Sequence, residues 1–187
     1  GLKMFPNATL TNRGILNALT TANIHMIVPT DKTTFINSGT MNVGTTAPAY
    51  SCIPLAFSNI AFTNEASGVI NFQAGRGFQI FSGYTGIVIN NQGTMNYTAT
   101  NFFAALNTGT IFNNSGTIDI KSGPGIAMQG GTMNNQACAK ILMPESSYDN
   151  TSIGSVTNNA GLIYIRHSLR NTSGTFTNTG VFGYFQL

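Results

Sequence analysis

Apolar and polar residues alternate along this chain in short segments, and the pattern recurs every 20–27 residues. Each unit has an apolar residue, a spacer and an asparagine, followed within two to four residues by a glycine. The repeated asparagines are Asn12, Asn37, Asn64, Asn91, Asn114, Asn135, Asn158 and Asn178. The residues in the glycine position are Gly14, Gly39, Gly68, Gly93, Gly116, Ala137 (the one exception), Gly161 and Gly180. A fixed period of this length is typical of a solenoid.

A short alternating segment follows each of these corners, as in Met41-Asn42-Val43 and Ile118-Asp119-Ile120. Alternation with period two indicates a strand with one buried face. Further candidate strands lie between the units, at residues 78–81, 102–106 and 126–128, which allows three strands per turn. Leucine-rich repeats need a leucine framework that is sparse here, and propeller blades need about 40 residues.

The pattern therefore predicts an all-β fold, a right-handed parallel β-helix (β-solenoid) of about eight coils of 20–27 residues. We expect a single domain over residues 1–187. Because the first residue is Gly1 rather than Met, we expect a processed product or a fragment of a larger protein.

The asparagine and the glycine of each unit have distinct expected roles. The asparagine lies two residues after an inward apolar side chain, so it should also point inward and stack on its neighbours as a ladder. Such a ladder would satisfy turn polar groups that water cannot reach. The glycine should supply the positive φ that tight turns often need.

Composition and charge narrow the function classes. Charged residues make up only 7% of the chain and the net charge is +3, with the basic residues scattered. A nucleic-acid binder normally concentrates its basic residues, so no nucleic-acid partner is expected. No apolar run approaches the ~20 residues of a membrane span. The 13 Phe and 6 Tyr argue against disorder.

The residues suited to catalysis or metal binding are few and dispersed. The five acids are Asp31, Glu65, Asp119, Glu145 and Asp149. Glycoside hydrolysis needs two carboxylates facing one sugar, and the repeat register gives Asp119 only Lys140 as its neighbour in the next coil, a surface ion pair. His25 and His167 with Cys52 and Cys138 do not match a zinc pattern. Both thiols are expected to be free, since the register places them about four coils apart. We therefore predict no catalytic residue, no metal and no cofactor.

One outward surface is a candidate for ligand contact. It consists of Thr40, Asn42, Asn71, Thr94, Asn96 and Thr117, interrupted by Val69. A flat Thr/Asn face of regular spacing suits a glycan or, as a lower-ranked alternative, ice. The simpler interpretation is that Thr and Asn are tolerated on the outside of a solenoid.

The units at residues 35–42 and 112–119 resemble the repeats of large bacterial surface proteins. These include filamentous-haemagglutinin-like adhesins and the β-helix cargo of Bacteroidetes secretion systems. The resemblance implies export, surface display and contact with cells, glycans or copies of the same chain. We therefore expect a non-catalytic structural or adhesive module, extracellular or at the cell surface. The alternative is a carbohydrate-binding or carbohydrate-cleaving β-helix protein of the polysaccharide lyase or hydrolase kind.

Neither terminal coil shows a polar or helical cap in its sequence, at residues 2–10 or 181–187. Exposed sheet edges favour pairing with further strands. The sequence thus predicts self-association through open solenoid ends, possible assembly into a filament, or capping by flanking domains.

Overall fold

A computed structural model describes residues 4–18, 32–44, 53–55, 58–73 and 77–184. These residues form 22 strands, numbered β1–β22 in chain order, joined by turns. All the strand pairs are parallel, and they build three sheets in which each strand lies on the equivalent strand of the preceding coil. The parallel β-solenoid predicted from the repeat is confirmed.

Sheet 1 holds the strand that ends at each repeated corner. Its eight strands, in order, are β1 (Thr9–Asn12), β3 (Thr33–Asn37), β6 (Ile60–Asn64), β9 (Ile87–Asn91), β12 (Thr110–Asn114), β15 (Thr132–Asn135), β18 (Val156–Asn159) and β21 (Thr175–Asn178). Sheet 2 holds the strand that follows the corner. Its eight strands are β2 (Ile15–Ala18), β4 (Thr40–Val43), β7 (Val69–Phe72), β10 (Thr94–Tyr97), β13 (Thr117–Ile120), β16 (Lys140–Met143), β19 (Leu162–Ile165) and β22 (Val181–Tyr184).

Sheet 3 closes the coil. Its six strands are β5 (Ile53–Leu55), β8 (Phe78–Ile80), β11 (Phe102–Asn107), β14 (Gly125–Gln129), β17 (Ser147–Asn150) and β20 (Ser168–Asn171). The described residues thus form six turns with all three strands, and two further rungs with strands of sheets 1 and 2. We expected about eight coils. The chain between β2 and β3 lies mostly outside the described residues.

The core runs along the inside of the three sheets because inward side chains alternate with outward ones. In β3, β6 and β9 the pattern is buried, intermediate, buried throughout. Like residues stack on like: the rings of Phe35 and Phe62 lie parallel with centroids 4.9 Å apart. Phe72, Phe78 and Phe103 meet edge to face at 5.4–5.9 Å. Each such side chain contributes about 1.5–3 kcal/mol by leaving water.

Among the described residues, no helix is long and apolar enough to cross a membrane.

Candidate functional site: the amide columns and outer faces

The inner asparagine column is the most regular polar feature of the solenoid. From each coil to the next, one asparagine Nδ2 donates to the Oδ1 of the following asparagine at 2.6–2.9 Å. The column members are Asn12, Asn37, Asn64, Asn91, Asn114, Asn135, Asn159 and Asn178.

Each Nδ2 up to Asn159 also donates to a backbone carbonyl of the next coil, as Asn91 does to Thr117 O at 3.1 Å. The inner asparagines from Asn37 to Asn159 are buried. The ladder therefore satisfies the corner carbonyls that water does not reach, as predicted.

The predicted ladder is wrong at one position, because Asn159 and not Asn158 occupies the seventh rung. The strand register pairs Asn135 with Asn159, and Asn158 is exposed on the outside. The sequence pattern took the apolar Val156 as inward, whereas the inward residues are Ser155, Thr157 and Asn159. A polar residue is tolerated there because the buried Thr157 Oγ1 lies 2.7 Å from the buried Tyr148 Oη, within hydrogen-bond distance.

The predicted reason for the corner glycines, a positive φ, is also wrong. None of the seven predicted glycines has a positive φ. They are needed because successive corners touch: a Cβ at Gly93 would lie 2.2 Å from Gly68 O, and one at Gly116 would lie 2.1 Å from Gly93 O. Gly14, which has no described corner below it, has no atom within 4 Å of such a Cβ. The glycines allow close stacking of coils rather than an unusual backbone.

Two corners are longer than the others, and the second of them shifts the register that the sequence suggested. Between Asn135 and the next strand, Ala139 N donates to Gln136 O at 3.1 Å, which closes a tight turn. Ala139, and not Ala137, therefore takes the glycine position, where Lys140 N donates to Gly116 O and Leu162 N donates to Ala139 O. The corner at residues 64–68 has the same length, with Gly68 N donating to Glu65 O at 2.8 Å.

The register shift also changes the expected ion pair. Lys140 lies beside Thr117, and the neighbour of Asp119 in the next coil is Leu142. Asp119 instead contacts Lys121 of its own coil at 3.5 Å. The predicted pair of Asp119 with Lys140 is therefore wrong, because the sixth corner is two residues longer than assumed.

The predicted ligand face is assembled on the outside of sheet 2. Thr40, Val69, Thr94 and Thr117 form one column, and Asn17, Asn42, Asn71 and Asn96 form the column beside it. The amides are linked, with Asn42 donating to Asn17, Asn71 to Asn42 and Asn96 to Asn71 at 2.8–2.9 Å. Asp119 follows Asn96 in this column.

A second outward amide column, on sheet 1, was missed by the sequence analysis. Asn113 donates to Asn90, Asn134 to Asn113 and Asn158 to Asn134, each at 2.9 Å. The signal was present as four Asn-Asn pairs, the first of them Asn90-Asn91. Since neighbouring strand residues face opposite sides, each pair supplies one inner and one outer amide.

Two recesses adjoin the outer face of sheet 1. The first is lined by Ala61, Val88 and Asn90 together with Asn59 and Lys32. The second lies beside the long corner at residues 136–138, with Gln136, Ala160 and Thr179 around Asn134, Asn158 and Thr177.

The described charged and nucleophilic groups are scattered. Besides the pair at Asp119, ion pairs join Arg166 to Glu145 and Arg170 to Asp149. Among the described residues, no three His, Cys, Asp or Glu side chains group closely enough to hold a metal ion. Cys138 is a free, exposed thiol, while Asp31, His25 and Cys52 lie outside the described residues.

One tyrosine is electrostatically distinct. Tyr148 is fully buried, and this burial raises the pKa of its hydroxyl well above the usual range, against the opposing effect of the bond with Thr157.

Comparisons with known protein families, with curated proteins and with solved structures found no match for this chain.

Proposed function

We propose that this chain is a non-catalytic structural or adhesive module that acts outside the cell or on its surface. The observation that carries the proposal is the pair of outward amide columns, each four asparagines long and fixed by side-chain hydrogen bonds. A repeated array of neutral donors and acceptors on a rigid sheet suits many weak contacts with a repetitive partner surface. Such contacts add up through multivalency.

Adhesion and catalysis are separated by one experiment. Purified chain on inert beads is applied under flow to surfaces coated with mannan, xylan, cellulose or chitin, and released reducing ends are measured in parallel. We expect retention on at least one surface without cleavage. Release of reducing ends at a steady rate would establish the carbohydrate-cleaving alternative. Failure to adhere to any of the four surfaces would refute the adhesive function.

Ice binding is a lower-ranked alternative that rests on the column Thr40, Val69, Thr94 and Thr117. These side chains are of similar size and stand in register on the outside of sheet 2. Thermal hysteresis of the purified chain, compared with a Thr94→Lys variant, tests it.

Self-association is a second candidate, supported by exposed apolar side chains on the end coils. In the last described coil the exposed fraction of Val181 is 63%, and in the first described coil that of Ile15 is 73%. The inner amide column is also directional, since each asparagine donates towards the next coil. The outermost strands of sheets 1 and 2 can pair with a further parallel coil, and a second copy of the chain supplies such a coil.

Sedimentation velocity over a wide concentration range checks this association. We expect species that grow with concentration, and a Val181→Lys variant should remain smaller. A single monomeric species at all concentrations would contradict it.

A further inference from the structure

The outer face of sheet 1 differs from that of sheet 2 in carrying an apolar column beside its amide column. Ala61, Val88 and Ile111 occupy one outward position in three successive coils. Asn90 and Asn113 stand beside Val88 and Ile111, two residues further along the same strands. The exposed fraction of Ile111 is 40%. Aliphatic carbon and amides therefore stand side by side in the two coils of Asn90 and Asn113, and Thr132 follows Ile111 beside Asn134.

The amides of this column keep unused hydrogen-bonding capacity. A carboxamide has two N–H donors and an oxygen with two lone pairs. Within the column, Asn113 uses one N–H to bond Asn90 and one lone pair to accept from Asn134. At least one donor and one acceptor per amide therefore remain for a ligand. At the far end, Asn158 is followed by Thr177, which is exposed.

The two recesses lie at opposite ends of this column. Asn90 borders the first, and Asn134 and Asn158 border the second. Three coil steps separate Asn90 from Asn158, which is about 14 Å at the ~4.8 Å spacing of paired strands. The amide column thus runs from one recess to the other and is long enough for several units of an extended chain.

The distribution of charged residues on this face favours an uncharged extended ligand over a polyanion. The columns on this face and the second recess are formed by neutral residues, and Lys32 is the charged residue beside the first recess. The amide column of sheet 2, in contrast, runs into Asp119. A polyanion would gain one favourable contact here, whereas an uncharged chain loses no ionic hydration.

We propose that the outer face of sheet 1 binds an extended, uncharged oligosaccharide along the Asn90–Asn158 column. A pyranose has hydroxyls at its edge, which match the amide column, and C–H groups on its face, which match the aliphatic side chains of Val88 and Ile111. The unit repeat of an extended β-linked hexose chain is close to the coil spacing, so successive rings meet successive amides. This inference rests on the proposed adhesive function and names its ligand and site.

The site is tested by calorimetry and by NMR of the Asn side-chain amides, with cellohexaose, β-1,4-mannohexaose, glucose and oligogalacturonate as probes. We expect one of the neutral hexamers to bind about tenfold or more tighter than glucose, since it engages several coils. Its addition should shift the amide signals of Asn113 and Asn134 and leave those of Asn42 and Asn71 in place.

Matched variants locate the site. Asn113→Ala and Asn71→Ala each remove the second or third amide of a four-amide outer column, on sheets 1 and 2. After urea denaturation has shown both to be folded, Asn113→Ala should weaken hexamer binding about fivefold or more while Asn71→Ala leaves it unchanged.

Three results would overturn the inference. They are no binding of either neutral hexamer, equal losses in the two variants, or a preference for oligogalacturonate that Lys32→Ala abolishes. Beads that still adhere with Asn113→Ala would leave the adhesive function standing without this site. Wild-type beads that adhere to none of the four polysaccharide surfaces would instead refute the adhesive function itself.

Discussion

At the scale of single residues, the corner is defined by an amide that bonds to the next coil and a glycine that lies against the previous one. Asn91 is fully buried and bonds to Asn64, Asn114 and Thr117 O. Gly93 lies against the carbonyl of Gly68. Both positions are set by the contact between coils, so their substitution tests the stacking directly.

Replacing Asn91 by Leu should lower the free energy of unfolding by about 1–3 kcal/mol, because buried amide and carbonyl partners lose their bonds. Urea denaturation followed by circular dichroism measures this change. Asn90→Leu, the outward neighbour in the same strand, is the control and should cost less, since water replaces its partners. Equal losses in both variants would contradict the buried role of the ladder.

Replacing Gly93 by Ala should also destabilise, by about 1–3 kcal/mol, because the new methyl group would lie 2.2 Å from Gly68 O and force the coils away from each other. Gly14→Ala is the matched control, since its Cβ meets nothing within 4 Å. We expect thermal and urea unfolding to show a loss for Gly93→Ala and almost none for Gly14→Ala. If a positive φ were the reason for the glycines, both variants would be affected alike.

At the scale of elements, the two long corners differ in backbone geometry although their lengths are equal. Cys138 has a φ of +67°, in the left-handed region that a side chain disfavours. The equivalent residue of the other long corner, Ser67, is outside that region, and its Oγ donates to Ser38 O at 2.9 Å.

Cys138→Gly should therefore stabilise the fold slightly, by about 0.5–1 kcal/mol, since relief of left-handed strain exceeds the entropy cost of glycine. Ser67→Gly should destabilise it, as it relieves no strain and loses a hydrogen bond. Urea midpoints of both variants in a reducing buffer check the opposite signs. A loss of stability in Cys138→Gly would show that the corner is unstrained.

Sheets 1 and 3 are joined inside the solenoid by the bond between Tyr148 of β17 and Thr157 of β18. Burial keeps the Tyr148 hydroxyl protonated at a pH where the unfolded chain ionises near its ordinary pKa of about 10. Above that pH the unfolded state has lost the proton and the folded state has not. Stability is thus intact below pH ~10 and falls by about 1.4 kcal/mol per pH unit above it.

Urea midpoints at pH 9 and pH 11 measure this fall for the wild-type chain. Tyr148→Phe should start from a lower stability at pH 9, because it loses the bond with Thr157, and should fall less steeply towards pH 11. Identical pH dependence in the two proteins would show that Tyr148 does not carry the effect.

At the scale of the whole molecule, the sequence predicted the fold class because the repeat is present in every coil. It predicted seven of the eight inner asparagines, and it failed at Val156, where an apolar residue faces outwards. The inward residue there is the polar Thr157, which Tyr148 provides with a hydrogen-bond partner.

The remaining differences arise from corner length. Alignment by the first small residue after Asn135 chose Ala137, and two extra residues moved the following strand by two positions. That shift hid the true neighbour of Asp119. The outer face of sheet 1 was missed because its chemistry depends on which member of each Asn-Asn pair faces outwards, and strand register decides this.

The direction of the hydrogen bonds has a mechanical consequence. The backbone bonds between strands and the three amide columns all run from coil to coil, so tension between the two ends of the solenoid loads them along their length. The coils should then detach singly, starting from an end, each releasing roughly 70–95 Å of chain at about 3.5 Å per residue. With one end of the chain anchored, such stepwise unfolding would lengthen the chain under tension while the remaining coils stay folded.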